Sequence, residues 1–126
     1  MLKLTYTDVG LALECIDASV ETVVQSRTLL ALRLGQSIYI QPGRASFLVP
    51  IEGFDLRKFK AMVQDQPNSA IELCKANRDC YELSLSGTWI ASSSEADEGI
   101  FIATLSEAME QYVDRLWQSV SAALSY

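Results

Sequence analysis

The alternation of apolar and polar positions predicts that the chain begins with a β-hairpin. Apolar residues occupy every second position over residues 2–6 and again over residues 11–15. This period of two is typical of strands that bury one face. The intervening segment 8–10 (Asp-Val-Gly) is a suitable turn, so we expect two antiparallel strands at this end of the chain.

Residues 20–34 carry two conflicting patterns. Apolar side chains three or four positions apart form a stripe typical of a helix, and Gly35 follows as a candidate C-cap. Against a helix stand several β-branched residues and the alternation over residues 30–34. We predict a strand with a break near residues 26–27, and a helix remains the alternative.

Two hairpins are predicted in the middle of the chain. In the segment 41–44 (Gln-Pro-Gly-Arg), proline and glycine hold the two central positions, as a type II turn requires. This turn would join strands over residues 37–40 and 45–49. A further hairpin is predicted over about residues 70–91.

The second hairpin has two possible registers, because its core-side positions all carry odd numbers. One register sets Cys74 opposite Cys80 and also Glu72 opposite Glu82. The other pairs Glu72 with Ser84 and leaves the two thiols offset. We favour the second register, because it keeps two carboxylates from facing each other.

Capping residues predict two helices. Asp55 is a plausible N-cap for a short helix over about residues 55–65, which ends before Pro67. A longer helix is predicted over about residues 105–124, opened by a capping box in the segment 104–107.

Together these elements predict a single α+β domain over residues 1–126. We expect an antiparallel, meander-like sheet with the long C-terminal helix packed on it. A chain of 126 residues is long enough to bury a core of its own. Over residues 28–124, the order of elements is similar to that of small acidic secretion-chaperone-like domains. Those domains open with a helix, whereas strands are predicted at the start of this chain.

The composition argues against the commonest catalytic chemistries. The chain contains no histidine, which excludes histidine-based triads and removes the commonest general base and metal ligand. No glycine-rich phosphate loop and no recognised zinc spacing occurs. We therefore expect a non-enzymatic protein with no cofactor and no bound metal.

Charge and hydropathy restrict the classes of partner and the cellular compartment that we expect. The formal net charge of −6 argues against a nucleic-acid partner, whose phosphates would repel an acidic surface. No apolar run approaches the ~18–20 residues of a membrane span, and no signal peptide is evident. Three cysteines without such a signal fit a reducing compartment, so we expect a cytoplasmic protein. The acidity is concentrated in residues 95–126, which hold six acidic residues against one arginine.

The last helix carries the predicted interaction surface. Its apolar residues form two stripes about 100° apart, whereas a helix lying on one sheet needs a single stripe. Either the helix is sunk deeply into its own sheet, or one stripe contacts a second chain. On the second interpretation the protein is a protein-binding or adaptor and chaperone-like module, whose partner is another protein or a second copy. The expected contact residues are Tyr112, Val113, Trp117, Val120 and Leu124.

A small-molecule-binding protein is the alternative function. A pocket between the sheet and the last helix would be lined by Phe47, Leu83, Met109 and Tyr112. An enclosed cavity with convergent polar groups would favour this alternative, and a filled core would exclude it.

Overall fold

One antiparallel sheet and the helices on its two faces make up the structure, a computed structural model that describes residues 1–64, 70–93 and 95–124. Residues 121–124 are described by their backbone alone. The α+β class predicted from the sequence is confirmed. The elements are β1 (Leu2–Thr7), β2 (Gly10–Cys15), α1 (Val20–Leu34), β3 (Tyr39–Pro50), α2 (Leu56–Val63), β4 (Ile71–Lys75), β5 (Cys80–Ala91), β6 (Gly99–Ala103) and α3 (Glu107–Leu124).

The sheet is organised around the long strand β5. On one side, β3 pairs with β5 along all twelve residues of each strand. On the other side, β4 pairs with the first half of β5 and β6 with the second half. The order continues from β6 to β1 and then to β2, so the first hairpin of the chain joins the sheet through a late strand.

The prediction of a strand over residues 20–34 is wrong, because α1 occupies this segment. The Ser19 hydroxyl accepts a hydrogen bond from the Thr22 amide at 3.2 Å and caps the first turn. Gly35 adopts a left-handed conformation (φ 64°), and the Gln36 amide donates to the Ala31 carbonyl at 2.8 Å. These caps and the packing of the valines on the sheet outweigh the small helix-propensity deficit of β-branched residues.

The predicted turn at residues 41–44 is also wrong, since β3 continues through it. Pro42 faces Thr88 and Gly43 faces Gly87 within the ladder. Because β3 is an edge strand, the missing N–H of proline is tolerated there. A Cβ atom on Gly87 would lie 2.0 Å from the Ile102 carbonyl oxygen, so only glycine fits this close crossing.

The hairpin of β4 and β5 has the register that the sequence favoured. Glu72 faces Ser84, and Cys74 faces Glu82 instead of Cys80. The Arg44 guanidinium pairs with the Glu72 carboxylate at 2.8 Å, and both side chains are exposed. The confirmed register therefore provides Glu72 with a cation and leaves the two thiols offset.

The two faces of the sheet carry separate cores. The larger core lies under α2 and α3, and its fully buried side chains include Phe59, Leu83, Leu85, Met109 and Val113. The smaller core lies under α1, where Val20, Val23 and Val24 pack on the buried residues Ile90, Ile100 and Ile102. Helix α1, which the sequence pattern offered only as the alternative to a strand, therefore packs on the second face of the sheet.

The predicted capping box at residues 104–107 lies two residues too early. Helix α3 begins at Glu107, and the Ser106 hydroxyl accepts a hydrogen bond from the Met109 amide at 3.3 Å. One turn later, Glu110 is buried. Its two carboxylate oxygens accept from the Met1 ammonium at 2.5 Å and from the Leu105 amide at 2.9 Å.

Candidate functional site

The C-terminal half of α1 exposes four leucines, which we call the leucine surface. Their exposed fractions range from 47% to 72%. Between them, Ala31 is buried against the body of the protein. Grouped apolar side chains of this kind mark contact sites more often than scattered ones do. The leucine surface consists of Leu29, Leu30, Leu32 and Leu34.

Helix geometry divides the leucine surface into two pairs. At about 100° per residue, Leu29 and Leu32 lie on the side of α1 that points away from the sheet. Leu30 and Leu34 lie along one flank, where Leu30 borders a cleft between the helix and the sheet. A partner that contacts both pairs must therefore reach around the end of the helix.

The charge around the leucine surface is positive, although the chain as a whole is acidic. Residues 24–34 contain Arg27 and Arg33 and no acidic residue, whereas the net charge of the chain is −6. Arg33 is exposed and lies between two of the leucines in the sequence. The leucine surface therefore combines apolar side chains with local cationic charge.

Two of the five residues predicted from the sequence as an interface lie in the core. Val113 is fully buried, and Tyr112 is 9% exposed. The Tyr112 ring lies 6.2 Å from the Phe59 ring, and the Lys58 ammonium lies 5.6 Å from its centroid. These two residues hold α3 to the sheet and to α2.

Two of the other predicted residues lie closer to the surface. Trp117 is half-buried and packs edge-on against Phe47, with ring centroids 5.5 Å apart. Val120 is also half-buried. The side chain of Leu124 lies outside the part of the chain that the structure describes. The second stripe of α3 thus has Trp117 and Val120 at its accessible end.

The four residues of the alternative pocket belong to the larger core. Leu83 and Met109 are fully buried, and Phe47 and Tyr112 pack in the same cluster. Three cavities of about 280, 390 and 430 Å³ are found elsewhere, and none of these four residues lines them. The four residues predicted to line a pocket therefore pack in the larger core and do not line any of these three cavities.

The leucine surface was missed because of the secondary structure predicted for it. In a strand, residues 30, 32 and 34 would share one face and could all be buried. In a helix, successive residues turn by about 100°, so four leucines within six residues cannot all face the core. Assigning a helix to this segment would have predicted the exposed leucines directly.

The thiol of Cys15 has no features of a reactive nucleophile. Desolvation raises its pKa above the ordinary value, and the carboxylates of Asp114 and Glu110 raise it further, while the N-terminal ammonium opposes them. The Cys15 thiol also donates to the Glu110 carbonyl oxygen at 3.5 Å. It is therefore protonated at neutral pH.

The described residues contain neither a metal-binding group of side chains nor a membrane-spanning helix. Over residues 1–64, 70–93 and 95–124, no three Cys, Asp or Glu side chains form a group that could hold a metal ion. Within the same ranges, no helix is long and apolar enough to cross a membrane.

Comparison with known proteins identifies a family. The family model described as Alr0857-like matches residues 1–121 of this chain. Searches of the curated proteins and of the solved structures find no match. The match covers nearly the whole chain, and the chain belongs to the Alr0857-like family.

Proposed function

We propose that this member of the Alr0857-like family is a non-enzymatic protein-binding module. Its leucine surface would bind an apolar segment of a partner protein that also carries carboxylates. The supporting observation is the group of four exposed leucines at one end of α1. By contrast, the large apolar side chains of the two cores are buried.

The size of the leucine surface suits a reversible complex. Fully burying one leucine stabilises a complex by roughly 1.5–3 kcal/mol, and these leucines have about half of that area left to bury. Part of the gain is offset by the entropy lost on association. Apolar contact alone therefore supports weak binding, and further contacts must add affinity and specificity.

Charge selects the partner. Arg33 lies beside the leucine surface, and residues 24–34 contain no carboxylate that could pair with it. In a symmetric dimer formed through α1, the arginines of the two copies would lie close to each other. A partner segment with carboxylates next to its apolar residues avoids this repulsion and gains from the cations.

Peptide binding tests the proposal. A labelled amphipathic peptide of leucine and glutamate should bind saturably in fluorescence anisotropy, and more tightly than a leucine and lysine peptide of the same spacing. The double variant Leu29→Ser, Leu32→Ser should weaken binding roughly tenfold, since about 1.4 kcal/mol corresponds to that factor. Val9→Ser is the matched control, because Val9 is 92% exposed in the turn between β1 and β2.

Two results would contradict the proposal. Equal affinity of the double variant and the Val9→Ser control would show that the peptide binds elsewhere. Sedimentation of the protein as a dimer that the double variant dissociates would make a second copy, and not an acidic partner, the occupant of the leucine surface.

The compartment is part of the same proposal. Three cysteines without a disulfide between them are consistent with a reducing cytosol. We place the binding of the partner there.

A further inference from the structure

Arg27 occupies an unusual position on α1. It lies on the inward side of the helix, in line with Val20, Val24 and Ala31, and is only partly exposed. Among the residues that the structure describes, it makes no hydrogen bond and no ion pair. A guanidinium on the buried side of a helix is normally paired, because removing it from water is costly.

Arg27 lines a cleft of about 280 Å³ between α1 and the end of the sheet. The floor of the cleft is apolar and includes Ile90 and Ile100. Thr5, Thr7 and Ser37 are the hydroxyl-bearing residues of its lining, and the Thr7 hydroxyl donates to the Gly10 carbonyl at 3.1 Å. An apolar floor with a few convergent polar groups is the usual composition of a small-ligand site.

Glu98 contributes the opposite charge to the same cleft. One of its carboxylate oxygens accepts a hydrogen bond from the Asp8 amide at 3.2 Å, which holds the side chain in place. Glu98 and Arg27 line one cavity and yet form no ion pair. A molecule placed between them would meet a cation and a hydrogen-bond acceptor.

We propose that this cleft binds a small organic anion that also carries a hydroxyl or ammonium group. The anionic group faces the Arg27 guanidinium, which can donate two parallel hydrogen bonds to a carboxylate or a phosphate. The hydroxyl or ammonium group donates to the Glu98 carboxylate. The volume lies just below the ~300–1,000 Å³ of drug-sized pockets, so the ligand is a compact metabolite and not a nucleotide.

Titration of the isotopically labelled protein, followed by amide resonances in NMR, tests this site with two probes. L-malate supplies carboxylates with a hydroxyl group, and inorganic phosphate supplies the alternative anion. We expect saturable shifts at the amides of Thr7, Ser37 and Gly99 with at least one probe, and the tighter probe identifies the anionic group. Arg27→Gln should weaken binding roughly tenfold or more, because the substitution removes the charge-assisted hydrogen bonds of the guanidinium.

Arg33→Gln is the matched control, because Arg33 lies on the same helix and does not line the cleft. It should leave the affinity for the probe unchanged. Absence of saturable shifts with both probes, or equal loss in the two arginine variants, would overturn the proposal. The Leu29→Ser, Leu32→Ser variant should still bind the probe, so failure of the peptide-binding proposal can be distinguished from failure of this one.

Discussion

At the scale of single residues, the buried ion pair between the Met1 ammonium and the Glu110 carboxylate connects β1 to α3. The ammonium also donates to the Ile16 carbonyl at 3.1 Å, and the second carboxylate oxygen accepts from the Leu105 amide. Both charged groups are almost completely buried. Since the Met1 ammonium pairs with the Glu110 carboxylate inside the fold, the acidity of residues 95–126 overstates the charge that this segment presents to a partner.

Removing this carboxylate charge should destabilise the protein. Glu110→Gln keeps the size of the side chain but leaves a buried ammonium without its anion, so we expect a loss of about 3 kcal/mol in the free energy of unfolding. Urea denaturation followed by tryptophan fluorescence measures this loss. Glu107→Gln, on the exposed side of the same helix, should change stability by less than about 0.5 kcal/mol. Equal unfolding midpoints for the two variants would contradict the structural role of the pair.

The raised pKa of the Cys15 thiol predicts a pH dependence. In a Cys74→Ser, Cys80→Ser background, alkylation of Cys15 by iodoacetamide should reach half its maximal rate at a higher pH in the folded chain than in urea. The protonated thiol stabilises the fold below the pKa that it has in the unfolded chain. This contribution is lost as the pH rises through the folded-state pKa. The same midpoint in both states would show that neither burial nor the neighbouring carboxylates act on the thiol.

At the scale of elements, helix α1 shows that the sequence contained signals for the ends of the helix but led to a wrong prediction of its secondary structure. Its two caps, Ser19 and Gly35, are local signals, and Gly35 was recognised as a candidate C-cap. Packing against β5 and β6 decides that this segment is a helix, and residue propensities carry no information about that packing. Similarly, Pro42 and Gly43 form a good turn motif, but pairing with β5 along its whole length keeps them in a strand.

The elements with strong local signals were predicted well. Asp55 caps α2 as expected, its carboxylate accepting from the Lys58 amide at 3.0 Å. The register of β4 and β5 followed from keeping Glu72 away from Glu82. By contrast, the cleft around Arg27 combines α1 with β1, β5 and β6, which are neighbours in the sheet but far apart in the sequence, so no local pattern could predict it.

The caps of α1 provide a test at the scale of this element. Ser19→Ala and Gly35→Ala should each lower the free energy of unfolding by about 1 kcal/mol, because one removes a side-chain acceptor and the other strains a left-handed position. Far-UV circular dichroism in a denaturant titration measures both effects. Gln25→Ala, at an exposed position in the middle of the helix, is the control and should not destabilise. Two unchanged cap variants would contradict the observed helix ends.

At the scale of the whole molecule, the two faces of the sheet are covered unequally. Helices α2 and α3 cover the larger core, which buries Tyr112 and Val113 of the five residues predicted as an interface, whereas α1 packs on the second face. A single helix over a sheet leaves its own outer side in solvent, and here that side carries leucines and Arg33. The leucine surface thus lies on the opposite side of the sheet from α3, which the sequence indicated as the interface.

The distribution of charge shows how an acidic protein could bind the acidic segment that we propose as its partner. At an ionic strength near 0.15 M, charges more than about 8 Å apart are largely screened, so the arginines of α1 dominate locally over the net charge of the chain. Binding of the acidic peptide should therefore depend on Arg33 much more than on the overall charge.

Reversing the charge at Arg33 tests this claim most directly. In anisotropy titrations of Arg33→Glu, the affinity for the leucine and glutamate peptide should fall roughly tenfold, because the new carboxylate repels the glutamates. The affinity for the leucine and lysine peptide should rise, because the same carboxylate attracts the lysines. Both peptides place the same apolar residues on the leucine surface, so the exchange isolates the role of charge. Unchanged affinities for both peptides would contradict an acidic partner at the leucine surface.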